Sequence, residues 1–206
     1  MKKIMFNDKY GLTQAVLEGR KTMTRRMVPL SLYNQTDWKA VEEGNYMAYI
    51  DGDGYYHDVR FCGNYGIGDE VAVAQAYKGL NYNFHGFATN PSRSCGIKKE
   101  YAKKHKGWSN KMFVEAKFMP HHIRIADIKV ERLQDISDED CMKEGIGSWE
   151  SPYYIMPCYH LPITSNAMRY YNTPREAFLA LINKVSGKGT WESNPWVFAY
   201  DFELID

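Results

Sequence analysis

Two alternating stretches constrain this chain more than any other feature. "HHIRIADIKVERLQ" (121–134) alternates apolar and polar residues well enough for a long strand, and "NPWVFAYDFELI" (194–205) alternates as a closing strand. Strands of that length need a sheet and a core, which excludes an all-helical fold. Shorter segments extend the pattern. "KKIMF" (2–6) reads as a first strand and "TMTRRMV" (22–28) as an extended segment. "YMAYI-DGDG-YYHDVRF" (46–61) reads as a hairpin around an Asp-Gly turn, and "YGIGDEVAVAQAY" (65–77) as a glycine-rich turn leading into a strand. An aromatic content of 15% suits such a β-rich body.

Helices occupy the gaps. In "NDKYGLTQAVLEG", Leu12, Ala15 and Val16 follow helical spacing, with Asn7 or Asp8 as N-cap and Gly19 as terminator. "SDEDCMKEG" (137–145) opens on a Ser-x-x-Asp capping box and ends at Gly145. "TPREAFLALINKV" (173–185) has Thr173 as cap, Pro174 at the first position and Glu176 three residues beyond the cap. Residues 78–111 and 147–172 are expected as irregular insertions. Without repeats or a linker, the chain reads as a single α+β domain over 1–206, a strand-dominated barrel or curled sheet with a few short helices.

Charge narrows the partners. The 26 basic and 25 acidic residues nearly cancel, so attraction to an anionic partner has to be local. No apolar run reaches the roughly 20 residues of a membrane span, and the start has no signal-peptide core, so no membrane association is expected. Four cysteines without CxxC spacing read as free thiols, and the chain as cytoplasmic. Cys95, His121, His122, Cys158 and His160 lack structural-zinc spacing, and adjacent histidines on a strand point to opposite faces, so neither a metal nor a cofactor is expected. "DGDG" lacks the remaining carboxylates of a calcium loop. "GNYGIGDE" precedes a strand rather than a helix, so it is a turn and not a phosphate loop.

Two stretches carry chemistry. "LEGRKTMTRR" (17–26) gathers Arg20, Lys21, Arg25 and Arg26 around Thr24. A threonine hydroxyl becomes a nucleophile when a nearby amine takes its proton, and neighbouring arginines push a lysine's proton affinity down. In a regular strand, residues three apart face opposite sides, so Lys21 and Thr24 meet only if the chain turns or bulges between them. The arginines could hold a phosphate or polarise a carbonyl. "KKEYAKKHKGWSNK" (98–111) holds six lysines around Tyr101 and Trp108. Lys103, Lys104 and Lys106 on a phosphate backbone, with Trp108 on a base, would make it a nucleic-acid contact; the alternative is a solvated loop.

"AVLEGRKTMTRR", "YGIGDEVAVAQAY", "IKVERLQDISDEDCMKEGI" and "INKVSGKGTWESNPWVFAYDFELI", in that order and over a little more than half the chain, resemble the ASCH superfamily, in particular its larger phage and bacterial members. The resemblance implies a PUA-like β-barrel related to RNA-binding domains. Small bacterial members remove the acetyl group from N-acetylcytidine; their catalytic lysine, threonine and glutamate match Lys21, Thr24 and Glu144. The implied function is nucleoside or base binding with amidohydrolase activity, and the alternative is a non-catalytic module for RNA or modified bases. Where larger relatives show Trp-Val-Arg-Glu, this chain has Ala72-Val73-Ala74-Gln75.

Overall fold

The computed structural model describes residues 1–33, 48–50, 53–80, 82, 96–150, 157–161 and 169–205. In chain order these form β1 (Lys2–Ile4), α1 (Leu12–Leu17), β2 (Met23–Met27), α2 (Leu30–Tyr33), β3 (Ala48–Ile50), β4 (Tyr56–Asp58), β5 (Glu70–Val73), α3 (Lys99–Lys104), β6 (His122–Arg132), α4 (Asp138–Lys143), β7 (Gly147–Trp149), β8 (Cys158–His160), β9 (Tyr170–Tyr171), α5 (Pro174–Val185), α6 (Thr190–Ser193) and β10 (Trp196–Leu204). The class is α+β, as the sequence implies. Among the described residues no helix is long and apolar enough to cross a membrane.

The main sheet has the order β1-β5-β6-β10-β2, with β1 parallel to β5 and the other pairs antiparallel. The two long alternating segments, β6 and β10, pair with each other at its centre. Their register shifts between Asp201 and Phe202: Asp201 faces Asp127 while Phe202 faces Ile125, leaving Ala126 as an extra residue. This bulge explains why Ile123, Ile125 and Ile128 all reach the core despite the odd spacing of the last two.

α5 covers the core. Its cap is as expected: Thr173 Oγ1 accepts from Glu176 N at 3.1 Å, and Glu176 Oε2 accepts from Asn172 N at 3.0 Å. Pro174, Ala177, Phe178 and Leu181 form its buried stripe. Truncating a buried aromatic such as Phe178 costs about 3–5 kcal/mol.

The hairpin reading holds, and the readings of the two insertions change. The 46–61 hairpin forms as β3 and β4, with part of its turn outside the described residues. The 78–111 insertion, however, is not an irregular loop where it is described. Lys99–Lys104 is helical, with Glu100 in its first turn and Lys103 and Lys104 in its last, charges that suit the helix dipole. Its buried Ala102 packs with Tyr77, Ala72, Ala74, Val114 and Met119 into a second core. β5 therefore separates two cores, with Val71 and Val73 in the larger and Ala72 in the smaller. Likewise 147–172 holds a three-stranded sheet, β7-β8-β9, rather than wholly irregular chain. Six-residue helices and two- or three-residue strands are too short to show a period.

The smaller core gives a direct test of packing. A Cβ on Gly107 would stand 2.7 Å from the ring of the fully buried Tyr77. Tyr77 is held by its hydroxyl, which accepts from Glu115 N at 2.9 Å. Gly107→Ala is expected to destabilise by about 1–3 kcal/mol, read from the urea midpoint at unchanged slope. An unchanged midpoint would mean that the second core yields freely.

Candidate active site

The turn that joins α1 to β2 sets Lys21. Past Gly19 the chain folds back so that Arg20 N and Lys21 N both donate to Ala15 O at 2.9 Å. Thr22 then ties two elements together: its N–H donates to Lys143 O at 2.9 Å and its carbonyl accepts from Phe202 N at 2.8 Å. Lys21 lies before the strand proper, so the opposite-face problem for Lys21 and Thr24 does not arise.

Glu144 reaches the same place from α4. Ser137 Oγ caps that helix by accepting from Asp140 N at 3.0 Å, and Glu144 is its C-terminal cap. The next residue, Gly145, has φ +97°, and a Cβ there would stand 3.3 Å from Lys21 Cβ. Only glycine combines that backbone with that approach, and the combination lets the end of α4 close on Lys21.

The result is a buried ionic cluster. Lys21 and Glu144 are 2% and 5% exposed. Lys21 Nζ donates to Glu144 Oε2 at 2.6 Å, Met23 O at 2.7 Å and Glu144 O at 2.9 Å, so all three ammonium N–H groups are engaged. Arg25 donates from NH1 to the other oxygen of Glu144 at 3.3 Å and from NH2 to Asp140 Oδ2 at 3.1 Å. It also donates from Nε and NH2 to Glu131 Oε1 at 2.9 and 2.6 Å. Burial pulls the Lys21 ammonium below the ordinary lysine range; Glu144 opposes the shift, and Arg26 and Arg25 add to it. Burial works against Arg25 too, but Glu144, Glu131 and Asp140 outweigh it and hold the guanidinium charged. The nearby Cys141 thiol is pushed up to about 12, mainly by burial, which makes it inert as a nucleophile.

A cavity of about 160 Å³ opens beside this cluster, lined by Lys21, Thr24, Arg26 and Glu144 against apolar walls that include Phe6 and Leu181. Thr24 is 5% exposed, and none of the described residues hydrogen-bonds its hydroxyl. Residues after β1 and along β2, the two edges of the sheet order, both line the cavity, so the sheet is curled around it. Buried charges are costly and are often replaceable by apolar residues without loss of stability. A buried lysine and glutamate at a cavity wall therefore mark a functional-site candidate.

The other expected residues divide. Arg26 lines the cavity, donates from NH2 to Met5 O at 2.6 Å, and sets its guanidinium 5.9 Å from the Phe6 ring centre. Arg20 lies at the surface and pairs with Glu18. Arg25 also lines the cavity, with its guanidinium paired to Glu131, Asp140 and Glu144. Lys103, Lys104 and Lys106 are exposed on the insertion, away from the cavity lining. Trp108 is half-buried against the second core, its ring centre 6.3 Å from that of Tyr82. Sequence reasoning missed Glu131 and Asp140, whose only signals were a charge on an alternating strand and an acid in a capped helix, and the cavity walls Phe6 and Leu181. Among the described residues no group of three or more His, Cys, Asp or Glu side chains is placed to hold a metal ion; Cys95 lies outside them.

No family model, curated protein or solved structure matches this chain.

Proposed function

We propose that this chain is an ASCH-type protein with a PUA-like barrel that binds a nucleobase in the Lys21–Thr24–Glu144 cavity and hydrolyses an N-acylated cytidine-like amide. One observation carries the reading: Lys21 and Glu144, 123 positions apart, form a 2.6 Å buried pair on the wall of a cavity that Thr24 also lines. The curl of the sheet around that cavity supports closure as a barrel. A cavity of about 160 Å³ compares with the roughly 150 Å³ that accepts one benzene ring, so it suits a single base or acyl group with the sugar outside.

The chemistry follows from the groups present. Lys21 loses a proton to solvent and becomes an amine. Thr24 Oγ1 attacks the acyl carbon while its hydroxyl proton moves to Lys21 Nζ. As the amide C–N bond breaks, Lys21 returns that proton to the departing amine, and the acyl group stays on Thr24 as an ester. Water then attacks the ester and gives a proton to Lys21, which passes it to the Thr24 oxygen as the carboxylic acid leaves. Glu144 keeps Lys21 aimed and steadies each ammonium that forms. Incubation of the purified protein with N-acetylcytidine and other acylated nucleosides, with released base followed by chromatography, tests this. Failure to release base from any of them would sink the hydrolytic reading.

One observation favours a binding module instead. All three N–H groups of Lys21 are engaged in the resting site, and a general base needs a lone pair. The strand at 72–75 bears on the same question. Ala72 and Ala74, where larger relatives carry Trp and Arg, are fully buried against the insertion, and Gln75 buries its Oε1 without a hydrogen-bond partner among the described residues. In the binding reading the exposed lysines of the insertion contact phosphate. Replacing Lys103, Lys104 and Lys106 by alanine should then weaken RNA binding and flatten its salt dependence by about one logarithmic unit per lost contact. An unchanged slope would leave the insertion a solvated surface.

A further inference from the structure

Arg25 follows the proposed nucleophile, yet its side chain is only 1% exposed. Nε and NH2 serve Glu131 and Asp140, while NH1 serves Glu144 Oε1 and Met23 Sδ, the latter at 3.2 Å. Five N–H groups thus meet five acceptor contacts within the protein. Arg25 belongs to the cavity lining, but with every N–H group engaged its guanidinium acts on the cavity through what it touches.

What it touches is the one carboxylate oxygen that Lys21 leaves free. We propose that Arg25 is a positioning residue: it grips Glu144 Oε1 from behind and, anchored by Glu131 and Asp140, sets the proton balance of the Lys21–Glu144 pair. For turnover this rests on the hydrolytic reading; for the pair itself it does not.

The physical argument is one of sign. Around the pair, β2 contributes the cations Arg25 and Arg26, α4 contributes Asp140 and the Cys141 thiol, and β6 contributes Glu131. Lys143 stands 3.8 Å from Asp140 and from Asp201. The segment after β1, α1 and α5 face the cavity with uncharged residues such as Phe6, Leu12 and Phe178. A fixed cation at Glu144 favours the form of the pair that has lost its proton, a neutral amine beside a carboxylate. That is the form able to take a proton from Thr24. Glu131 and Asp140 act the other way, and they hold the guanidinium in register so that its fork meets Glu144.

The experiment follows the ¹³Cε resonance of Lys21 through a pH titration of the full chain carrying ¹³C-labelled lysine, the signal being assigned by its loss in Lys21→Met. Arg25→Gln should raise the proton affinity of the site by roughly tenfold, and Glu131→Gln should lower it. If the cluster merely shaped the local structure, either change would admit water, relieve the burial of Lys21 and move both midpoints upward. Opposite shifts support the proposal, while shifts of the same sign, or none, overturn it. Should Arg25→Gln fail to fold, Glu131→Gln decides alone: a downward midpoint supports the proposal, and an upward or unmoved one overturns it. Where the wild type turns over acylated cytidine, the acidic limb of kcat/KM should shift with the NMR midpoint. Absence of any turnover would refute the hydrolytic reading and leave the NMR comparison intact.

Discussion

Thr24→Val is expected to reduce turnover of an acylated nucleoside by about 10⁴-fold or more while leaving nucleoside affinity nearly unchanged. Valine keeps the branching and size of threonine and suits strand β2, so the cavity wall stays in place. None of the described residues bonds the Thr24 hydroxyl, so its removal leaves no described protein donor or acceptor unpaired. The lost interaction belongs to the transition state, which is why kcat falls and Kd does not. Lys21→Met should behave alike in turnover, since it keeps most of the stem and removes the base. A binding module gives a different pattern: no hydrolysis in either protein and an affinity loss of roughly 0.5–1.5 kcal/mol on Thr24→Val. Full-rate hydrolysis by Thr24→Val would remove this hydroxyl from the mechanism.

Glu144→Gln should lower stability by about 3–5 kcal/mol near neutral pH, because it leaves the Lys21 ammonium enclosed without its anion. The pH dependence has a definite sign. Burial already holds Lys21 below the ordinary lysine range, and loss of Glu144, the main opposing influence, lowers it further. Between that lowered value and the ordinary one, the unfolded chain binds a proton that the folded chain does not, so stability rises with pH across the window. Below the window both states are protonated and the deficit is complete. Urea titrations of wild type and variant at a series of pH values from neutral to alkaline should show the deficit shrinking as pH rises. A deficit that stays constant would mean that Lys21 carries no buried charge.

The long strands and the capped helices were legible because each rests on a local signal. β6 and β10 announce themselves by alternation, and the phase break between Ile125 and Ile128 is visible in the sequence as well, although only pairing with β10 explains it as a bulge. α5 could be read from Thr173, Pro174 and Glu176 alone. The ionic cluster could not. Glu131 lies on a strand and Asp140 on a helix, and neither has a neighbour in sequence that hints at Arg25. Arginines 25 and 26 look interchangeable as text, and both line the cavity, yet the N–H groups of Arg25 are taken up by protein acceptors, three of them carboxylates, while Arg26 donates to a backbone carbonyl. The causes of the Lys21 shift were also only partly legible: adjacent arginines suggested repulsion, whereas burial is the larger influence. Burial depends on what folds over a residue, and here that includes α4, more than a hundred residues away.

In the sheet order β2 is an edge strand, and an edge strand with free N–H and C=O groups can pair with another chain and start aggregation. Its inward-pointing, ion-paired Arg25 is one of the devices that discourage such pairing, and Arg26 occupies the Met5 carbonyl near the other edge. Two contacts beside the cavity thus lie at positions where an open sheet would otherwise invite pairing with its own copies. Neutral substitutions at 25 or 26 would act on solubility as well as on chemistry.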